Sequence, residues 1–254
     1  MRNSSHPAFT PYYPLLDQIE SPYSIDSLNA LAASRNLHHQ NGNALSFEFG
    51  DMPGHAAEYE QGIFSSGSIP TRENNPHDFL NALVWLRFPE LKSALNLRHC
   101  ERLANPEEHR QRGKLRDQLT LLDESGVLVA SPRRDLLGLL QEKRWVELFW
   151  QAREEVVRHM TFIVVGHGLL EKCIQPFAAM TGKCLLIETG ETTPKKLDSL
   201  AASEVDQVSM LTLPPLPILG IPGWDNNNSI GYYQNTQIFR TESSQPSLAP
   251  QTHS

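Results

Sequence analysis

His77 and Asn81 stand four residues apart with Trp85 one turn further on, so on a helix the three project along one line. Lys92, Asn96 and His99 form a second such line. Both lines border apolar stripes. Polar groups in that position cost desolvation unless they find partners, and active sites hold their groups on rigid elements of this kind. A third cluster is Gly166-His167-Gly168-Leu169-Leu170-Glu171. There His167 and Glu171 share a helical face and could bind one divalent metal, or Glu171 could orient the imidazole through its ring N–H. The glycines permit a sharp turn and close approach to a ligand, and a helix start there would equally attract an anion. Asp117, Asp123 and Glu124 are the available carboxylates nearby. Turn chemistry accounts for Asp123, whereas Asp117 beside Arg116 suits an ion pair or a metal ligand. Metal-assisted chemistry needs three or four such N and O ligands with a position left open for water.

The elements that must position these groups follow from periodicity and capping signals. Asn75-Pro76-His77-Asp78 reads as a helix start, with an Asn cap, Pro at the first position and an acid that can bond back to the cap. Phe79, Leu80, Leu83, Val84 and Leu86 fill its apolar face, and Pro89 ends it and begins a second helix to about Leu103. Residues 98–116 are locally basic and read as a loop or short helix. Segments 119–122 and 127–130 flank Asp123-Glu124-Ser125-Gly126, whose chemistry suits a type I turn and predicts a buried β-hairpin. Helices are expected over 25–36, 58–64, 134–141, 145–159 and 168–179, with strands over 45–49, 161–165 and 184–188. The last strand-helix-strand run permits a right-handed βαβ unit. Residues 195–211 have weak helical character, and 214–222 read as an extended connector. The fold class is therefore α+β: a helix-rich single domain over 25–240 with a β-hairpin and a βαβ unit, an extended proline- and aromatic-rich arm over 1–24, and a disordered polar tail over 241–254.

Composition narrows the function classes. The 22 Lys and Arg against 29 Asp and Glu leave a net charge of −7, which disfavours general attraction to nucleic acid or anionic membrane. Cys100, Cys173 and Cys184 form no C-x-x-C pair, and a reducing cytoplasmic setting fits them. No signal peptide or apolar span is expected, since the greasiest stretch, 211–221, is short and broken by Pro214, Pro215 and Pro217. The sequence carries no P-loop, no G-x-G-x-x-G, no H-E-x-x-H and no G-x-S-x-G, so no cofactor can be named and the metal, if any, stays unassigned.

Several ordered segments look familiar together: Pro70-Thr71-Arg72-Glu73-Asn74, His77-Asp78, Asn81-Ala82-Leu83-Val84-Trp85, Phe88-Pro89, Lys92, Leu95-Asn96 and His99. Arg116-Asp117, Leu119-Thr120, Asp123-Glu124-Ser125-Gly126, Gly166-His167, Glu171-Lys172 and 216–224 extend the set. Over roughly residues 14–240 the chain resembles the bacterial family labelled domain of unknown function 3025. The chain departs from that pattern at Val165 and Gly168, where the family favours an aromatic and Ala, and at Asp225-Asn226 after Trp224, where it favours aromatics. The resemblance groups the same polar residues without implying an activity for them.

The leading expectation is a cytoplasmic enzyme of hydrolytic type acting on an anionic small molecule. His77, His99, His167, Glu171 and one of Asp117 or Asp123 would converge around a divalent metal or form a general acid/base pair. Arg72 and Lys92 would hold the substrate's charge, and Asn81 and Asn96 would orient it. The rival is a non-enzymatic adaptor that binds a partner protein through the proline-rich segment 213–224. A third reading, nucleic-acid contact through 98–116 and Arg133-Arg134, runs against the net charge.

Overall fold

The computed structural model describes residues 6–20, 22–50, 54–103, 109–207 and 212–240, with backbone only for 102–103 and 109–116. Residues 7–12 form a 3-10 turn that continues into α1 (Tyr13–Leu16), and Phe9, Tyr12, Leu15 and Leu16 are buried there. This stretch lies on the core as expected, but coiled rather than extended, because four large side chains reach the interior only if the chain turns. Tyr12 anchors it, its hydroxyl donating to the Val164 carbonyl at 2.7 Å. The chain then runs through α2 (Ile25–Ser34), β1 (Ser46–Glu48), α3 (Ala56–Ser66) and β2 (Ser68–Pro70), with β1 and β2 paired in parallel.

Next come the two helices on which the first polar lines sit, α4 (Pro76–Arg87) and α5 (Pro89–Leu103). The start of α4 follows its capping sequence: Asn75 is extended and its side chain accepts from the Asp78 N–H at 3.1 Å. Asp78 does not bond back to the cap. Its carboxylate instead receives the Arg72 N–H at 2.8 Å and the Arg72 guanidinium at 2.9 and 3.0 Å. The first turn of α5 is closed from outside, by Asp198, whose carboxylate accepts the N–H groups of Glu90 and Leu91.

The hairpin expected around Asp123 is absent. α6 (His109–Ser125) runs unbroken through Asp123 and Glu124 and passes directly into β3 (Gly126–Ser131). The physical reason is the spacing of Leu119 and Leu122, both fully buried, which is helical rather than alternating. Gly126 makes the junction possible, since a Cβ there would lie 2.2 Å from the Leu122 carbonyl oxygen.

After α7 (Arg134–Gln141) the expected long helix 145–159 is divided. A π-helical turn over Glu147–Gln151 precedes α8 (Arg153–His159). β4 (Thr161–Val164), α9 (His167–Lys172) and β5 (Thr181–Glu188) follow. They do not make a βαβ unit: in the sheet order β4-β3-β5-β6, β4 is antiparallel to β3 and β5 is parallel to it, so β4 and β5 run in opposite directions with β3 between them. α10 (Pro194–Gln207) packs on α5, β6 (Pro215–Pro217) pairs antiparallel with β5, and α11 (Ile230–Tyr233) comes last.

The segment read as an extended connector and adaptor surface therefore supplies an edge strand and core. Leu216, Ile218, Leu219 and Ile221 are all buried, which leaves little of it to dock a partner. An edge position is where a sheet tolerates proline. The architecture is α+β, as its sequence indicates, with one contiguous cluster of buried apolar side chains. Among the described residues no helix is long and apolar enough to cross a membrane. The tail 241–254 lies outside the described residues.

Candidate metal centre

The pairing of β3 with β4 decides where the chemistry falls. Val127 is opposite Val164, and both Val165 and Gly166 donate their N–H groups to the Gly126 carbonyl at 2.9 Å. The last turn of α6 and the first turn of α9 are thus held side by side. Close approach needs Gly166, where a Cβ would sit 2.3 Å from the Gly126 nitrogen and 2.5 Å from that of Ser125. The first turn of α4 completes the arrangement, since α4 packs along α9.

Three ligand-type side chains meet there. His77, Glu124 and His167 each bring a nitrogen or oxygen to a common region, all within 4.8 Å of one another. The two imidazoles are 4.6 Å apart, centroid to centroid, in an edge-on arrangement. His167 Nε2 lies 3.4 Å from Glu124 Oε1. Each histidine also has a carboxylate at its Nδ1. For His77 this is Glu171, at 2.9 Å, and for His167 it is Asp123, at 3.7 Å. His167 is buried, and its Nδ1 has no hydrogen-bond partner at that distance.

Asp123 is itself fixed by Lys92, which donates to its other oxygen. The Lys92 ammonium is buried and lies 5.3 Å from the centre of the Trp85 ring. Burial raises the Asp123 pKa, but the Lys92 and His167 charges outweigh it, aided by His99, and the carboxyl stays below its ordinary range. Glu124 is also held low, chiefly by its hydrogen bond with His167, against the opposing effect of burial. Both carboxylates therefore stay ionised at neutral pH. They occupy the last turn of a long helix, whose carbonyl end already carries partial negative charge, so the place favours a cation.

A cleft of about 700 Å³ opens over this cluster. Its lining includes His77, Glu124, Ser125, Gly168 and Glu171, with Pro76, Ile174 and Phe177 as apolar members. Gly168 matters locally: a Cβ there would stand 2.5 Å from Glu124 Oε2, so glycine leaves that carboxylate its room.

The other expected site residues lie elsewhere. Asn81 donates to the Tyr59 hydroxyl at 3.1 Å. Asn96 donates to the Glu60 carboxylate at 2.6 Å and takes up His39 at 2.9 Å, so both asparagines serve a polar layer behind the cleft. In that layer Glu60 is pushed up to about 7 by burial and by the nearby Asp123 charge. His99 acts on Asp123 through its charge and is not one of the three clustered ligands. Asp117 is exposed on α6, more than a turn before Asp123, and does not join them. Arg72 is engaged with Asp78 and Lys92 with Asp123, so neither presents an uncommitted charge to an anion. Arg133 and Arg134 are likewise paired, with Asp135, Glu155 and Glu188. Glu124 is the residue that sequence reasoning undervalued. Read as a turn residue, it had no direction, and only the helical spacing of Leu119 and Leu122 would have placed it in the last turn of α6.

Fold and site together describe an α+β protein with a histidine- and carboxylate-lined cleft at the meeting of three helix ends. The chain belongs to the family described as protein of unknown function (DUF3025), whose model matches residues 47–243. No curated protein and no solved structure matches it.

Proposed function

We propose that His77, Glu124 and His167 hold a divalent transition metal and that the protein is a metal-dependent hydrolase of a small molecule bound in the cleft. The observation that carries this reading is a carboxylate placed at each histidine, bonded to His77 at 2.9 Å and standing 3.7 Å from His167. Metal-bound imidazoles characteristically give their second ring nitrogen to a carboxylate, and here Glu171 and Asp123 stand at the two Nδ1 atoms. Nε2 of each ring is then the nitrogen for the metal. Ligands about 2.1 Å from a tetrahedral ion are about 3.4 Å from one another, the separation already found between His167 Nε2 and Glu124 Oε1. Two nitrogens and one carboxylate oxygen are the donor set of catalytic zinc sites, which keep a fourth position for water.

A bound metal would supply a lowered pKa for that water, to about 7. The rest falls to the chain. Glu171 lines the cleft and is bonded to His77 Nδ1, so it orients that ring with Nε2 toward the metal. Lys92 keeps Asp123 ionised beside His167, where its negative charge faces the Nδ1 side of that ring. The three free thiols, Cys100, Cys173 and Cys184, are buried and kept protonated, with Cys100 pushed up to about 11 by desolvation, and they support a reducing, cytoplasmic setting.

The test is metal analysis of the purified full chain by plasma mass spectrometry, after dialysis against zinc and then against buffer. One equivalent should remain in the wild type and less than about a tenth in His77→Ala and His167→Ala. Equal retention by all three would remove the reading.

A further inference from the structure

We infer that the cleft is shaped for a monoanionic amide or ester carrying an aromatic or branched apolar group, rather than for a phosphate ester. This inference rests on the metal reading above and adds the substrate class to it. One part of the lining is apolar: Pro76, Ile174 and Phe177, with Phe177 51% exposed although large and hydrophobic. A single exposed aromatic is ordinary, but one grouped with two further apolar residues along a cleft of ligand size is a surface for an apolar group.

The charges choose the anion. Glu124 and Glu171 line the cleft, and Lys172 is the single Lys or Arg among its lining residues. Among the described residues Lys172 has no ion-pair partner, in contrast to Arg72 and Lys92. With a divalent ion in place the Glu124 and Glu171 charges are offset and Lys172 leaves one net positive charge, which a dianionic phosphate exceeds. A carboxylate beside Lys172, on a molecule whose apolar group rests on Phe177, meets one charge with one charge.

The reaction for such a substrate is acyl hydrolysis. The water oxygen bonds to the acyl carbon, the C–N or C–O bond breaks with its electron pair going to nitrogen or oxygen, and the proton lost by the water passes to that leaving atom. The products are an acid and an amine or alcohol, and no oxidant or reductant is needed.

Calorimetric titration of the zinc-loaded full chain tests this, with 3-phenylpropionate, propionate and inorganic phosphate as probes. 3-Phenylpropionate should bind about tenfold more tightly than propionate, the range that one apolar group contributes in a fitted pocket. Phe177→Ala should remove most of that difference while leaving propionate unchanged, and Lys172→Gln should weaken both carboxylates about fivefold. Zinc retention, measured separately on each variant, should not change. Phosphate binding more tightly than 3-phenylpropionate, or Phe177→Ala leaving the preference intact, overturns the substrate class. Stoichiometric zinc with no carboxylate binding overturns the class alone, whereas failure of the wild type to hold zinc overturns the metal reading beneath it.

Discussion

His77 and His167 belong to different helices and lie far apart in the chain, yet their rings meet edge-on with centroids 4.6 Å apart and with a carboxylate at the Nδ1 of each. The β3–β4 pairing produces this meeting, because it sets the end of α6 against the start of α9 under the first turn of α4.

Glu171→Gln tests the outer carboxylate. Its side chain is 44% exposed and lines the cleft, so the variant should unfold at the wild-type temperature when metal-free. Zinc affinity should nevertheless fall roughly 10–100-fold, the usual effect of removing such a partner. Competition with a chromophoric chelator reads it directly, and an unchanged affinity would leave Glu171 without the orienting role given to it.

Lys92→Met should destabilise the fold by on the order of 3 kcal/mol, because it removes the buried ammonium that partners the half-buried, ionised Asp123. The double variant Lys92→Met/Asp123→Asn should recover much of that loss. Urea unfolding at pH 7 gives both numbers, and a single-variant loss below about 1 kcal/mol would show that the pair is not a buried charge contact.

The two glycines on either side of His167 separate packing from chemistry. Gly166→Ala places a Cβ against backbone atoms of Gly126 and Ser125, which cannot move aside, so soluble yield or melting temperature should drop sharply. Gly168→Ala meets the far end of the Glu124 side chain instead. With its one backbone contact the Glu124 carbonyl oxygen at 3.1 Å, that protein should lose far less melting temperature than Gly166→Ala, while its metal affinity changes as the carboxylate swings away. Equal melting losses in the two variants would contradict the distinction.

Much of this arrangement is legible in the sequence, and the reasons are local. The Asn75-Pro76 start of α4 and the Pro89 start of α5 are written in caps and proline chemistry, and both helices form where those signals lie. His77, His167 and Glu171 stand out by helical spacing, whereas Asp123 is accounted for in the sequence by turn chemistry. What spacing could not supply was the direction of each partner in three dimensions. Asn81 and Asn96 share lines with His77 and His99 but turn to Tyr59, Glu60 and His39. Asp123-Glu124-Ser125-Gly126 matches a turn by composition. A helix that abuts a strand with no loop between them uses the same residues, and only tertiary packing of Leu119 and Leu122 decides between the two.

Glu60 gives a pH signature. Its carboxyl is pushed up to about 7, above its unfolded value, so the folded state binds the extra proton between about pH 4.5 and pH 7 and its stability falls as pH rises through that window. Glu60→Gln keeps the oxygen that accepts from Asn96 and removes the titration. Melting temperatures of variant and wild type should agree near pH 5, and the variant should be the more stable at pH 8. A wild type that stays the more stable at pH 8 would reverse the assigned sign.

X-ray absorption at the zinc edge of the loaded protein reads whether two imidazoles and one carboxylate bind one metal ion. Two imidazole nitrogens and one or two oxygens at about 2.0–2.1 Å are expected in the wild type. A spectrum with sulfur neighbours, or one without imidazole scattering in the wild type, would contradict it.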